Sequence, residues 1–378
     1  MSLHNEASRL TLAEFIDRGG DQPFYWMNSN GTTGPAVQMD YRAVPRDITR
    51  MCFAEILRWS PRSVIQLVRL MADDDQEDLV VAKIMNKPLD GQRLHAELNL
   101  LREIRHKHVA AVVGSFTAGG QDEPKTGVLI FPLAVQNLDQ LLRGISSYNA
   151  ASNSKAWHPH QNTLQLLQYF ACLCRTVQHL HGRRRPVKHR DIKPENILVD
   201  RVDNVILADF DISKAYDNAA QAITYGSGDG TVMYSSRDVW STNDPLTTQR
   251  GLEWDIISLG FVFLEMATVV FGRTLEDMRA RMRFPHPTSP GEPVVVYSAA
   301  LEGGQIHTWL EVLRRVPTET PWKLPRRFAE LTRFAPNYVD EFLRAIKGMM
   351  HAEQNEGDPL ERARVVFSQL SENCSYCQ

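Results

Sequence analysis

The chain has 378 residues, 43% of them hydrophobic and 23% charged, a composition that supports one large or two modest globular domains. Its formal net charge of −3 argues against nucleic acid or an anionic membrane surface as the main partner, so any electrostatic recognition is local. Five cysteines with no secretory signal ahead of them point to a reducing, intracellular setting, cytoplasmic with the nucleus left open.

Residues 1–50 mix charge, Gly, Asn and Pro without sustained periodicity. Phe24, Tyr25 and Trp26 are nevertheless too aromatic for a purely flexible tail, and the segment reads as an extension that docks on the main body. Strand patterns follow at 63–70 (SVIQLVRL), 79–85 (LVVAKIM), 109–116 (VAAVVGSF) and 126–133 (TGVLIFPL), with a Gly119-Gly120 turn between the last two. One helix interrupts them at 93–106, where Leu94, Leu98, Leu101 and Ile104 share a face. Beyond the polar stretch 144–162 the pattern turns helical: Leu164, Leu167, Phe170, Ala171, Cys174, Val177 and His181 keep a 3.6-residue period. Further helices are expected at 254–272 and 338–351.

The longest apolar run, Ile256 to Phe271, is broken by Ser258, Glu265 and Thr268, and reads as a helix buried in protein rather than a membrane span. Cys374 and Cys377 form a C-x-x-C pair with no second pair or flanking histidines, so a frayed tail is expected there rather than zinc or redox chemistry. Ser375 stands where a prenylation signal needs cysteine. The order of elements is that of an α+β protein with a β-rich front and a helical back. Its expected divisions are an extension at 1–50, a β-rich lobe with its connector at 51–134, a helical lobe at 135–371 and a tail at 372–378.

The stretch KHRDIKPENILV, residues 188–199, carries the most chemistry. Phosphoryl transfer needs a carboxylate to accept the hydroxyl proton, a cation beside the transferring group and an oxygen ligand for magnesium, all on one short turn. Asp191, Lys193 and Asn196 supply these within six residues.

This loop resembles that of the eukaryotic protein kinases, serine/threonine branch, and the family's other signature pieces follow in order over roughly residues 52–370. The resemblance implies a bilobal fold, a small β-rich lobe with one helix and a larger helical lobe. It also implies an enzyme that transfers phosphate from ATP, with Mg2+, to Ser or Thr of a protein substrate. In that reading Asp191 is the base, Lys193 stabilises charge on the phosphoryl group, and Asn196 and Asp209 hold magnesium. Lys83 of VVAKIM, paired with Glu97, positions the phosphates. Ile65, Phe131, Leu133 and Ala134 fall at nucleotide-binding positions, Phe131 as gatekeeper and Pro132 to Ala134 as the connector. Asp255 in WDIISLG is implied to brace the loop backbone, with Ile257 where the family has tryptophan. The F-P-L-A wording resembles a divergent group common in filamentous fungi.

Two departures stand out. Asp211 replaces the glycine of the magnesium-binding D-F-G turn, a handicap of roughly 1–2 kcal/mol in left-handed backbone. RWSPRS, residues 58–63, puts Arg58, Ser60 and Ser63 where the family's phosphate loop has three glycines, and Pro61 removes a donor. Arg58, Ser60 and Arg62 either contact phosphates through side chains or leave nucleotide weakly bound.

GTVMYSSRD resembles the end of the family's activation segment, with Thr231 bonding Asp191 and Lys193 and with Arg237 and Asp238 in place of Pro and Glu. Arg362 is the expected partner of Asp238 in a buried ion pair. Arg190 is implied to meet a phosphate on Thr224, Tyr225 or Ser227. His158, His160, His179 and His181 read as solvated or packed rather than metal-bound. Two functions follow: an active serine/threonine kinase, or a pseudokinase that serves as a binding scaffold. A small-molecule kinase fits HRDIKPEN poorly. The oligomeric state is left open.

Overall fold

The structure, a computed structural model, describes residues 24–28, 38–42, 48–59, 63–72, 77–85, 100, 103–104, 106–118, 125–151, 159–210, 213–218, 232–235, 251–285, 293–320, 323–352, 357–370 and 374. The chain divides into two compact units, Met1–Val135 with Val199–Ala208, and Gln136–Leu198 with Asp209–Gln378.

The first unit is a seven-stranded antiparallel sheet. Its strands are β1 (Phe24–Asn28), β2 (Gln38–Arg42), β3 (Ile48–Trp59), β4 (Ser63–Ala72), β5 (Glu77–Met85), β6 (Ala111–Ala118) and β7 (Lys125–Phe131). Their order is β1-β2-β6-β7-β5-β4-β3. The four expected strands form, as β4 to β7. Of the helix expected at 93–106 the structure describes only the end, where Leu100 and Ile104 are buried and the Ile104 N–H donates to the Leu100 carbonyl at 3.1 Å.

The segment read as an aperiodic extension contributes β1 and β2. Phe24, Tyr25 and Trp26 have high strand propensity, and β1 pairs with β2 over five residue pairs from Phe24↔Arg42 to Asn28↔Gln38. β2 in turn covers the edge of β6, with Met39 opposite Phe116. Residues 199–208 also belong to this unit. Leu207 accepts from the Ala110 N–H at 2.9 Å and donates to the His108 carbonyl at 2.8 Å, and the Asp200 side chain closes the turn by accepting from the N–H groups of Val202 and Asn204, both at 2.9 Å.

The second unit is helical and is built around Glu253–Val270, which is apolar on every side and buried without a break from Leu259 to Val270. Thr163–His181, Tyr338–Met350 and Pro359–Ser368 surround it. The Phe170 ring lies 4.9 Å from Phe263, 5.1 Å from Phe342 and 5.1 Å from Phe367, which joins all four helices in one aromatic cluster. Gly260 permits a close crossing with the Tyr338–Met350 helix: a Cβ there would stand 2.9 Å from Met350 Cγ and 3.0 Å from the Met350 nitrogen. Asp358 caps the Pro359–Ser368 helix, its carboxylate accepting from the Leu360 and Glu361 N–H groups. Among the described residues no helix is long and apolar enough to cross a membrane. Cys374, expected in a frayed tail, is instead buried.

Candidate active site

The loop that carries Asp191 begins at the short strand Val187–Lys188, which pairs antiparallel with Lys214–Ala215. It then turns at Arg190, whose φ of 73° lies in the left-handed region that side chains resist. Asp255 supplies the compensation. Its carboxylate accepts from the His189 N–H at 2.7 Å and the Arg190 N–H at 2.8 Å, with His181 Nε2 3.0 Å away. This is the bracing expected of Asp255. It also accounts for His181, a histidine packed against a carboxylate. Burial pushes the Asp255 carboxyl up, but the hydrogen bond and charge of His181, the charge of His189 and the Arg190 N–H together outweigh it and hold the carboxyl below its ordinary value.

Three of the candidate side chains meet on this loop. Lys193 Nζ lies 2.6 Å from Asp191 Oδ2. Asn196 Nδ2 donates to the Asp191 carbonyl and to the same Oδ2, both at 2.9 Å. A single 3₁₀ turn, Pro194–Asn196, makes this possible: proline fixes its first residue, and the Asn196 N–H closes on the Lys193 carbonyl at 3.0 Å.

Asp209 also sits in left-handed backbone, with φ of 68°. Its neighbour Phe210 is buried and meets the His189 ring edge-on at 4.5 Å. Ser213 Oγ donates to the His189 carbonyl at 2.9 Å. These two contacts fasten the chain after Asp209 to the loop that carries Asp191. The strain anticipated at Asp211 falls outside the described residues; among those described, the non-glycine residues in left-handed backbone are Arg190, Asp203 and Asp209.

In the first unit, Ile65 lies directly opposite Lys83 across β4 and β5, and Lys83 opposite Val128 across β5 and β7. Cross-strand partners share a face of the sheet, so these three line one surface. Lys83 is only 7% exposed, a burial that an ammonium group tolerates only with polar partners. Phe131 ends β7 and is buried; Leu133 and Ala134, which follow it, are half-buried. Arg58 is exposed at the end of β3, while Ser63 opens β4 and is buried. Glu97, residues 60–62, Asp211, Thr224, Tyr225, Ser227, Thr231, Arg237 and Asp238 lie outside the described residues.

One arrangement had no sequence expectation. Glu265, fully buried, takes Arg279 Nε at 3.0 Å and a second guanidinium nitrogen at 2.6 Å, the Tyr234 hydroxyl at 3.0 Å, and the Tyr297 hydroxyl in a short bond. Ser258 Oγ donates to the Tyr234 carbonyl at 2.9 Å. Burial raises the Glu265 carboxyl despite Arg279 and the donated hydrogen bonds. Arg362, expected in a buried pair with Asp238, is exposed. Ala363 and Phe367 take the inner face of that helix and carry Arg362 outward, while Asp238 lies outside the described residues. A second unforeseen residue is Lys188, 2% exposed beside the loop that carries Asp191, its Nζ 5.7 Å from the Trp254 ring centre. For Glu265 the available signal was a charged residue inside an apolar run; Lys188, set among Arg, Pro and His, carried none.

A turn that gathers Asp, Lys and Asn around one carboxylate, together with an antiparallel sheet holding a buried lysine, defines a class of protein. Residues 65–282 match the family model of the protein kinase domain, and the chain belongs to that family. It is similar to serine/threonine-protein kinase nekl-2 of Caenorhabditis elegans, 26% identical over 199 residues that cover 51% of each protein. It is likewise similar to the probable LRR receptor-like serine/threonine-protein kinase RPK1 of Arabidopsis thaliana, 28% identical over 46% of this chain and 29% of that protein. Human serine/threonine-protein kinase Nek10 is 29% identical over 34% of this chain and 10% of its own length. The chain thus spans about half or less of the length of these relatives.

Proposed function

We propose that the chain is a serine/threonine protein kinase that transfers the γ-phosphate of ATP to hydroxyl groups of a protein substrate. The observation that carries this reading is the joint hold of Lys193 and Asn196 on Asp191 Oδ2, at 2.6 and 2.9 Å. A carboxylate oriented by two donors and only partly exposed suits a base that takes the proton of an incoming hydroxyl. Lys193 then has its ammonium beside the acceptor, where charge develops on the transferring group.

The donor set fits a hard cation. Asn196 makes both of its Asp191 bonds through Nδ2, which leaves Oδ1 to offer lone pairs, and Asp209 adds a carboxylate. Asn196 and Asp209 would hold magnesium, which when bound would supply charge neutralisation for the phosphates. Lys83, with Glu97 as its partner, positions the phosphates, and Ile65, Phe131, Leu133 and Ala134 hold the base. A second reading, a scaffold with the kinase fold and no catalysis, draws support from the glycine-free stretch Arg58 to Ser63.

Intact mass of the purified chain before and after Mg-ATP, beside Asp191→Asn, separates the two. Mass gains of one phosphate in the wild type alone support the kinase. No gain in either, repeated with a generic protein substrate and with no thermal shift on adding Mg-ATP, leaves the scaffold.

A further inference from the structure

We propose that Cys172 and Cys374 are a peroxide-sensitive thiol pair that closes to a disulfide and ties the end of the chain to the helix that supports the catalytic loop. The two sulfurs lie within 4.8 Å of each other. Cys172 sits in the middle of Thr163–His181, the helix whose last residue, His181, meets Asp255. Cys374 is delivered to it by the Pro359–Ser368 helix. Phe367 packs on Phe170 at 5.1 Å, and Leu370 is buried beyond it, so the approach to Cys374 is anchored on the same helix that carries Cys172.

The selectivity of the pair follows from helical geometry. Cys174 lies two residues further on, about 200° around the helix from Cys172, and faces the surroundings of Arg364 and Glu361 instead. Burial pushes its thiol well up, and it stands outside the cluster that holds Cys172 and Cys374. Of the facing pair, Cys374 is the more accessible, 8% exposed against 2% for Cys172. A disulfide requires an S–S distance of about 2.05 Å, so side-chain rotation has up to about 3 Å to close.

The oxidant is hydrogen peroxide, small enough to reach a nearly buried thiol. The Cys374 thiolate attacks one peroxide oxygen, the O–O bond breaks, and the departing hydroxide takes up the thiol proton as water, leaving a sulfenic acid. The Cys172 sulfur then attacks that sulfur, and the hydroxyl leaves with the Cys172 proton as a second water. Two thiols lose two electrons, and one peroxide gains them.

Because the bridge closes a loop of about two hundred residues, it constrains the unfolded chain strongly, and Tm should rise by about 5 °C or more. The test uses the full chain treated with hydrogen peroxide, then desalted without reductant. The expected result is an intact mass lower by two hydrogens, reversed by dithiothreitol, with a Cys172–Cys374 peptide in a non-reducing digest. Cys374→Ser and, separately, Cys172→Ala should lose both the mass change and the Tm shift, whereas Cys377→Ser keeps them. A bridge through Cys52 or Cys377, a covalent dimer, or two added oxygens on Cys374 without a cross-link would overturn the proposal.

Discussion

At the residue scale, Asp255 holds the backbone of the loop, and Asp191, held by Lys193 and Asn196, is the base we propose. Asp191→Asn keeps the shape of the side chain but removes the proposed base, so on that proposal phosphate transfer under single-turnover conditions should fall about a thousandfold with folding unchanged. Asp255→Asn turns one acceptor into a donor against the His189 and Arg190 N–H groups. It should lower kcat about ten- to a hundredfold while leaving the KM for ATP near its starting value, because the loop loses alignment rather than its nucleotide contacts. The same variant has a pH signature. The Asp255 carboxyl is held lower in the folded chain than in the unfolded one, so its contribution is complete above the ordinary carboxylate value, about pH 4. That contribution is lost as the pH falls through the lowered folded value. Glu265 runs the other way, since its raised carboxyl binds protons in the folded chain first and costs stability as the pH rises from the ordinary glutamate value to the raised one. Asp255→Asn removes the first effect and leaves the second, so the acid limb of a Tm-against-pH curve should flatten; an unchanged limb would assign acid sensitivity elsewhere.

At the scale of elements, the Glu253–Val270 helix is both the centre of the core and the mount for two buried carboxylates, Asp255 at its start and Glu265 ten residues on. Replacing Glu265 by Gln leaves the Arg279 guanidinium without its counter-charge, and stability should drop by about 3 kcal/mol. Glu265→Gln with Arg279→Met should recover most of that loss, and a denaturant double-mutant cycle measures the difference. Simple additivity would mean that the ion pair is not what holds Tyr234 and Tyr297 together. The helix was legible in sequence because an apolar run of that length has few other fates, and the catalytic loop because its three side chains fall within six residues. The Glu265 network was not legible. Its four side chains come from positions 234, 265, 279 and 297, and no local pattern links them. Arg362 is turned outward by the helical period, and its expected partner Asp238 lies outside the described residues.

At the scale of the whole molecule, the sheet is where sequence and structure part most. β4 to β7 announce themselves by long β-branched runs, whereas β1 and β2 are five residues each, set among Gly, Asn and Pro, and gain their stability from pairing rather than from a pattern of their own. Their pairing has a consequence for how the chain is divided. If residues 1–47 were a detachable extension, removing them would leave the rest unchanged. With β2 seated along β6 from Gln38↔Thr117 to Tyr41↔Gly114, removal instead strips one side of β6 and creates a new sheet edge with open N–H and C=O groups. A chain starting at Ile48 should therefore show a lower Tm than the full chain and concentration-dependent association in light scattering, since an uncovered edge is a template for pairing with another copy. A lysine introduced in β6 of the shortened chain, at Phe116, opposes such pairing by charge and should reduce the association without restoring the Tm. A shortened chain that stays monomeric and melts with the full-length protein would return residues 1–47 to the status of an appendage and locate the natural edge of the sheet at β6.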